Sequence, residues 1–208
     1  MTKNKRKLLF LIFSLVLILL AVYFIFSGGN SVSVKDYFPG KPGVYLYQGE
    51  GMEFASFRRE IKYVDGPYIQ FHDLSGTEMA HILEVSEEKL TRIYQEPEFY
   101  DKENLLNQVD ELKLENEVIL KKPLKEGHRW ETENYIREIK ATGLEVEVPA
   151  GTFEQVLKIK ISPREEDENQ FIRYEYYAPR VGLVKSESIS DDYRVISRLK
   201  EIKNIAEK

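Results

Sequence analysis

A chain of 208 residues that is 42% hydrophobic and 12% aromatic holds enough apolar material for one ordinary domain, which excludes wholesale disorder. The net charge of −5 is unevenly placed: Lys3, Lys5, Arg6 and Lys7 precede a long uncharged run, so the remainder is more acidic still and has no basic stripe with which to neutralise nucleic-acid phosphates. The absence of cysteine removes a disulfide framework, a thiolate metal site, a cysteine nucleophile and the lipid-accepting cysteine of a bacterial lipoprotein.

Residues 1–7, MTKNKRK, form a basic N-terminus. The 19 residues from Leu8 to Phe26 that follow carry no charge. As a helix they span roughly 29 Å, the thickness of a bilayer core. Positive charge before the run and uncharged polar residues after it place the N-terminus in the cytoplasm and everything from Ser27 outside, as a single-pass transmembrane signal anchor in the cell membrane. The rival reading is a signal peptide cut after Gly29, but such apolar cores are shorter, and Phe24, Ile25 and Phe26 are bulky beside the cut. Either way the domain is exported. Residues 27–36 read as a flexible spacer, 37–200 as an extracytoplasmic β domain and 201–208 as a charged tail that frays.

Within the domain, Tyr37 to Gly43 is too rich in Pro and Gly for regular structure and leads into a first run, Val44 to Tyr47. Apolar residues then recur at every second position, which puts them on one face of a strand. Ala55, Phe57, Ile61 and Tyr63 oppose Ser56, Arg58, Glu60 and Lys62, and Met79, His81, Leu83 and Val85 follow the same period. Between Asp101 and Leu114 the period changes: Leu105, Leu106, Val109 and Leu112 have helical spacing behind an Asp101 cap. Alternation returns at Leu144, Val146 and Val148, at Leu157, Ile159 and Ile161, at Ile172, Tyr174 and Tyr176 against Arg173 and Glu175, and at Tyr193, Val195 and Leu199. Shorter runs lie at Tyr68 to Leu74, Leu90 to Tyr94, Val118 to Leu120 and Leu183 to Ser186. With turn residues at Gly49–Gly51, Asp65–Pro67, Ser75–Gly76, Ser86–Glu88, Gly143 and Ser190–Asp192, the expectation is a mainly β domain. It is a curved antiparallel sheet or half-barrel of about ten to twelve strands with one short helix, preceded by the transmembrane helix.

Three segments between Val118 and Val184 carry a resemblance: Val118 to Trp130 (VILKKPLKEGHRW), Val146 to Phe153 (VEVPAGTF) and Tyr176 to Val184 (YYAPRVGLV). The pattern resembles uncharacterised exported β domains of bacteria, several of them anchored lipoproteins or membrane proteins, and some similar to lipoprotein-carrier half-barrels. That resemblance implies a half-barrel in the envelope and is silent on activity; the departure here is a peptide anchor in place of a lipidated cysteine. On their own chemistry, Pro149, Ala150 and Gly151 read as a turn, Gly182 as a second, and Trp130, the sole Trp, as a core plug.

Candidate chemistry is sparse. His72, His81 and His128 have no metal-ligand spacing; His81 reads as buried and hydrogen-bonded and His72 as facing solvent. The acidic run Arg164 to Glu168 reads as a solvated hairpin tip, and no G-x-S-x-G elbow, P-loop or dinucleotide fingerprint is present. No catalytic residue, cofactor or metal is expected. The chain has thirteen Tyr and eleven Phe, and those at strand positions suggest an aromatic concave face, with Phe57, Ile61, Tyr63, Tyr174 and Tyr176 as candidate ligand contacts. The expectation is a non-enzymatic domain held to the membrane by its helix, binding an apolar ligand or an envelope protein and no nucleic acid. The alternative is a structural interaction module that uses a sheet face or an open edge. A third reading, an envelope hydrolase, needs a cleft with two carboxylates about 5 to 9 Å apart.

Overall fold

The alternating runs form twelve strands: β1 (Gly43–Glu50), β2 (Phe57–Asp65), β3 (Tyr68–Ser75), β4 (Thr77–Val85), β5 (Lys89–Pro97), β6 (Glu117–Lys121), β7 (Arg129–Glu131), β8 (Tyr135–Val148), β9 (Gly151–Pro163), β10 (Ile172–Ala178), β11 (Gly182–Ile189) and β12 (Arg194–Asn204). The computed structural model describes residues 33–112, 114–165, 171–190 and 192–204. The expected membrane anchor at 8–26, the basic N-terminus before it, most of the acidic hairpin tip and the last four residues lie outside them. Among the described residues no helix is long and apolar enough to cross a membrane.

All twelve strands belong to one antiparallel sheet in the order β6-β5-β4-β3-β2-β1-β12-β11-β10-β9-β8-β7. Every spatial neighbour is a sequence neighbour except one pair, β1 with β12, whose register runs from Gly43↔Asn204 to Glu50↔Ile196. The first and last strands therefore meet in the middle of the sheet, and its two edges are the consecutive strands β6 and β7, joined by residues 122–128 alone.

That connection dictates the curvature. Strands spaced about 4.8 Å apart would put the edges of a flat twelve-stranded sheet about 50 Å apart. A link of this length reaches about 27 Å when fully stretched. The sheet must curl until its edges approach, and it becomes a nearly closed barrel with a seam between β6 and β7. Side chains bridge that seam: the Trp130 indole Nε1 donates to the Val118 carbonyl at 2.9 Å, and Arg137 of β8 donates from Nε and Nη2 to Glu117 Oε1 of β6 at 3.1 and 2.8 Å.

Alternate residues fill the interior, with Tyr45, Tyr47, Ile61, Phe71, Leu157, Ile159 and Leu199 buried. Tyr47 of β1 reaches past β12 to β11 through a 2.7 Å hydrogen bond from its hydroxyl to the Leu183 carbonyl. A second apolar cluster forms where Ala80, Ile82 and Ile93 meet Phe99, Leu105, Leu106 and Val109 of the segment after β5. Ala80 and Ile82 alternate with the inward His81 and Leu83, so this segment straps the outer face of the sheet.

Three expectations are corrected. The helix over 101–114 is a 3₁₀ segment, Leu105–Glu111, broken at Gln108 and capped by Asn104, whose side chain accepts from Leu106 N at 3.1 Å, in place of Asp101. The backbone just before it is committed to the sheet: Gln70 of β3 donates to the Glu103 carbonyl and accepts from the Leu105 N–H, so an earlier α-turn has no free groups to build on. Residues 33–36, expected in the spacer, belong to the domain, because Ser33 caps a 3₁₀ turn over Val34–Tyr37 and Val34 is fully buried. The domain also runs past 200, since Lys203 and Asn204 still pair with β1.

Trp130→Phe keeps the ring but leaves the Val118 carbonyl without its donor. It is expected to cost about 1 to 2 kcal/mol in urea unfolding followed by circular dichroism, with faster amide exchange in β6; unchanged stability and exchange would mean that the indole does not hold the seam.

Candidate functional site: a charged chamber inside the sheet

Several charged residues fall in phase with the apolar positions and so point inward. Arg59 lies between Phe57 and Ile61 on β2, Asp73 follows Phe71 on β3, and His81 lies between Met79 and Leu83 on β4. Arg137 precedes Ile139 on β8, and Arg173, Glu175 and Tyr177 share one face of β10. Register brings them together. Arg59 pairs across β2 and β3 with Asp73, and Phe71 pairs with His81. Arg137, Ile161 and Arg173 form one row across β8, β9 and β10. The result is a chamber of about 440 Å³, a volume within the range of small-molecule sites. Phe38, Phe71, Leu83, Leu90 and Leu183 supply its apolar lining.

Two of its ion pairs are closed. Arg59 grips Asp73 with two parallel hydrogen bonds, Nε to Oδ1 at 2.8 Å and Nη2 to Oδ2 at 2.7 Å, and its guanidinium lies 4.4 Å above the Phe71 ring. Burial opposes the charge on Arg59, but the adjoining carboxylate outweighs it and holds the guanidinium more firmly protonated than usual. Arg137, 2% exposed, is held by Glu117. Opening the buried Arg137–Glu117 pair from one side costs about 3 to 5 kcal/mol.

The third group is less complete. Glu175 Oε2 accepts from the Tyr177 hydroxyl at 2.7 Å, while Arg173 Nε lies 3.1 Å from Oε1 and Arg137 Nη1 lies 3.7 Å from Oε2. Burial pushes the Glu175 carboxyl up, but Arg173, Arg137 and the Tyr177 hydrogen bond together hold it below the usual carboxylate value. Tyr177 is pushed well up, by burial first and by Glu175 second. Among the described residues Arg137 Nη1, Arg173 Nε and His81 Nδ1 are buried nitrogens without a hydrogen-bond partner. Glu175 is thus held ionised and Tyr177 neutral.

A second hollow, of about 870 Å³, is lined by Tyr135, Pro163, Arg164, Phe171, Arg173 and Ser188 among others. Tyr135 and Arg173 line both spaces, so the two hollows adjoin. Phe171 packs edge-on against Tyr193 at 5.0 Å, and both rings are exposed at the rim.

The five residues expected to form an aromatic wall are divided between faces. Phe57 stacks on Tyr47 at 4.1 Å and Ile61 is fully buried, both inside. A β-bulge between Ile61 and Tyr63 shifts the phase, so Tyr63 lies outside against the strap and donates to the Lys102 carbonyl. Tyr174 and Tyr176 alternate with the inward Glu175 and face outward under Lys158 and Lys185. His72, expected at the surface, is fully buried: its Nδ1 lies 2.6 Å from Glu78 Oε1 and its Nε2 2.9 Å from Gln70 Nε2. His81 is buried as expected, but it stacks on Phe71 at 4.6 Å and its Nδ1 has no partner.

The residues that build the chamber, Arg59, Asp73, Glu117, Arg137, Arg173, Glu175 and Tyr177, were not singled out in the sequence. The available signal was a charge at a position whose neighbours two residues away are apolar, as in Phe57-Arg59-Ile61.

No family model matches the chain, and no curated protein matches it. Two solved structures resemble it. A candidate exported protein with YmcC-like fold from Bacteroides fragilis is 13% identical, covers 83% of this chain and 100% of its own, and superposes with a TM-score of 0.49. A candidate lipoprotein from Parabacteroides distasonis is 14% identical, covers 84% of this chain and 100% of its own, and gives a TM-score of 0.48.

Burial lowers the pKa of His81 to about 4, with Asp73 acting against that and Arg59 and Arg92 reinforcing it. The folded chain therefore binds a proton here less readily than the unfolded chain, whose imidazole titrates near 6.5. Stability is lost as pH falls from about 6.5 towards about 4. The loss from this group is on the order of 3 kcal/mol. His81→Phe keeps the stack on Phe71 and removes the proton site, so urea midpoints measured across that window should fall less steeply than in the parent. His72 and His128, also lowered by burial, leave a residual slope of the same sign. Parallel slopes for parent and variant would show that His81 is not a buried neutral base.

Proposed function

We propose that this protein is a non-catalytic, membrane-tethered extracytoplasmic binding domain whose guest lies inside the curled sheet. The observation that carries the reading is the chamber itself, a space of about 440 Å³ with an apolar lining, fixed charges and buried nitrogens that lack acceptors. An interior meant only to be a core would be filled by apolar side chains, because each buried polar group without a partner costs about 1 to 3 kcal/mol. The guest is amphipathic in this reading and not wholly apolar, since Arg59, Arg137, Arg173 and Glu175 face it. The tether and the exported location are proposed from the basic cluster at Lys3 to Lys7 and the uncharged run Leu8 to Phe26.

Native mass spectrometry of the full chain, extracted from membranes in mild detergent, tests the reading. The expected result is a small molecule that stays with the folded chain and is released when the chain unfolds. A chain that is empty in every preparation, and whose melting temperature no polar extract of the host raises, would remove the chamber as a binding site.

A further inference from the structure

Resting on the chamber as the binding site, the geometry points to an oxyanion, a carboxylate or a phosphate group, as the part of the guest held between Arg137 and Arg173. The two arginines flank Ile161 in one cross-strand row, on β8 and β10, with their guanidiniums on the inner face. Most of the carboxylate oxygens around them already accept from other side chains. Glu117 Oε1 takes both Nε and Nη2 of Arg137, the two oxygens of Asp73 are taken by Arg59, and Glu175 Oε2 already accepts from Tyr177.

Arg137 Nη1 is left 3.7 Å from Glu175, beyond hydrogen-bonding distance, and Arg173 Nε, although 3.1 Å from the same carboxylate, lies too obliquely to bond it. Both nitrogens are sealed from water. A charged donor in that state is costly, and a planar or tetrahedral oxyanion between the two guanidiniums supplies the missing acceptors.

Charge points the same way. The chamber is lined by four guanidiniums, Arg59, Arg92, Arg137 and Arg173, against the three carboxylates of Asp73, Glu117 and Glu175. Arg92 also reaches outward to Glu115 at 3.4 Å. A cationic guest would find each chamber carboxylate already engaged by an arginine. Beyond the oxyanion, the volume that remains is bordered by Phe71, Leu83 and Leu183, so the guest is a small organic acid or phosphate ester with an apolar remainder.

The test uses the full chain in detergent micelles and two readouts. Trp130 is the sole Trp and sits opposite Arg137 in the β7–β8 ladder, so its fluorescence reports on the site, and arginine Nε–H resonances identify which side chain responds. The probes, at constant ionic strength, are sodium acetate and inorganic phosphate, with choline and glucose as cationic and neutral counterparts. Saturable binding of an oxyanion with shifts at Arg137 and Arg173 supports the inference, and the stronger of acetate and phosphate names the source. Arg173→Gln, at a side chain 43% exposed and so the safer of the two to change, should weaken that binding about tenfold or more, with partial recovery in Arg173→Lys. Binding of choline or glucose but of neither oxyanion would overturn the inference while leaving the chamber as a site. Failure of all four probes, together with a chain that carries no co-purified molecule, would overturn both.

Discussion

The structure depends on a short leash. Residues 122–128 are all that joins the two edge strands of a twelve-stranded sheet, and a chain of that length does not cross the width of a flat sheet. The sheet therefore curls, and its edges face each other instead of solvent. Edge strands are a liability because their unpaired backbone groups invite pairing with other chains. Here they are short, five and three residues, and the Trp130 indole already occupies a carbonyl of β6.

Curling also explains why charge lies inside. In a flat sheet with one covered face, Arg59, Arg137 and Arg173 would need to be apolar. Inside a nearly closed barrel of this size, side chains from facing walls meet, and long arginines can reach acids on other strands. Arg137 of β8 is the clearest case, because its bond to Glu117 both satisfies a buried charge and crosses the seam. The feature that shapes the chamber also holds the barrel shut. Ion pairs of this kind add little net stability compared with well-packed apolar residues, so their presence is better explained by what they present to the interior than by stability alone.

The local pattern was legible in the sequence and the global closure was not. Period-two alternation gave the strands around Met79-His81-Leu83 and Leu157-Ile159-Ile161, and the tally of about ten to twelve agrees with the twelve observed. The first half of β8 shows no apolar period, because Arg137 stands in step with Ile139 where an apolar residue would complete it. The face of β10 is hidden for the same reason: Tyr174 and Tyr176 carry the apolar period, yet Arg173, Glu175 and Tyr177 point inward. The bulge that turns Tyr63 outward has no glycine or proline to announce it. Pairing of β1 with β12 is a contact between distant segments that no local period encodes, and without it the edges, the seam and the chamber are not visible in the sequence.

Because the chain has no cysteine, a pair introduced at Asn116 and Glu131, both exposed and at the same end of the seam, gives two unique sites for spin labels. Pulsed electron spin resonance on that doubly labelled chain measures closure directly. The account requires one narrow, short distance of adjacent strands; a broad distribution, or a separation of several strand widths, would show that the sheet is open and that there is no enclosed chamber.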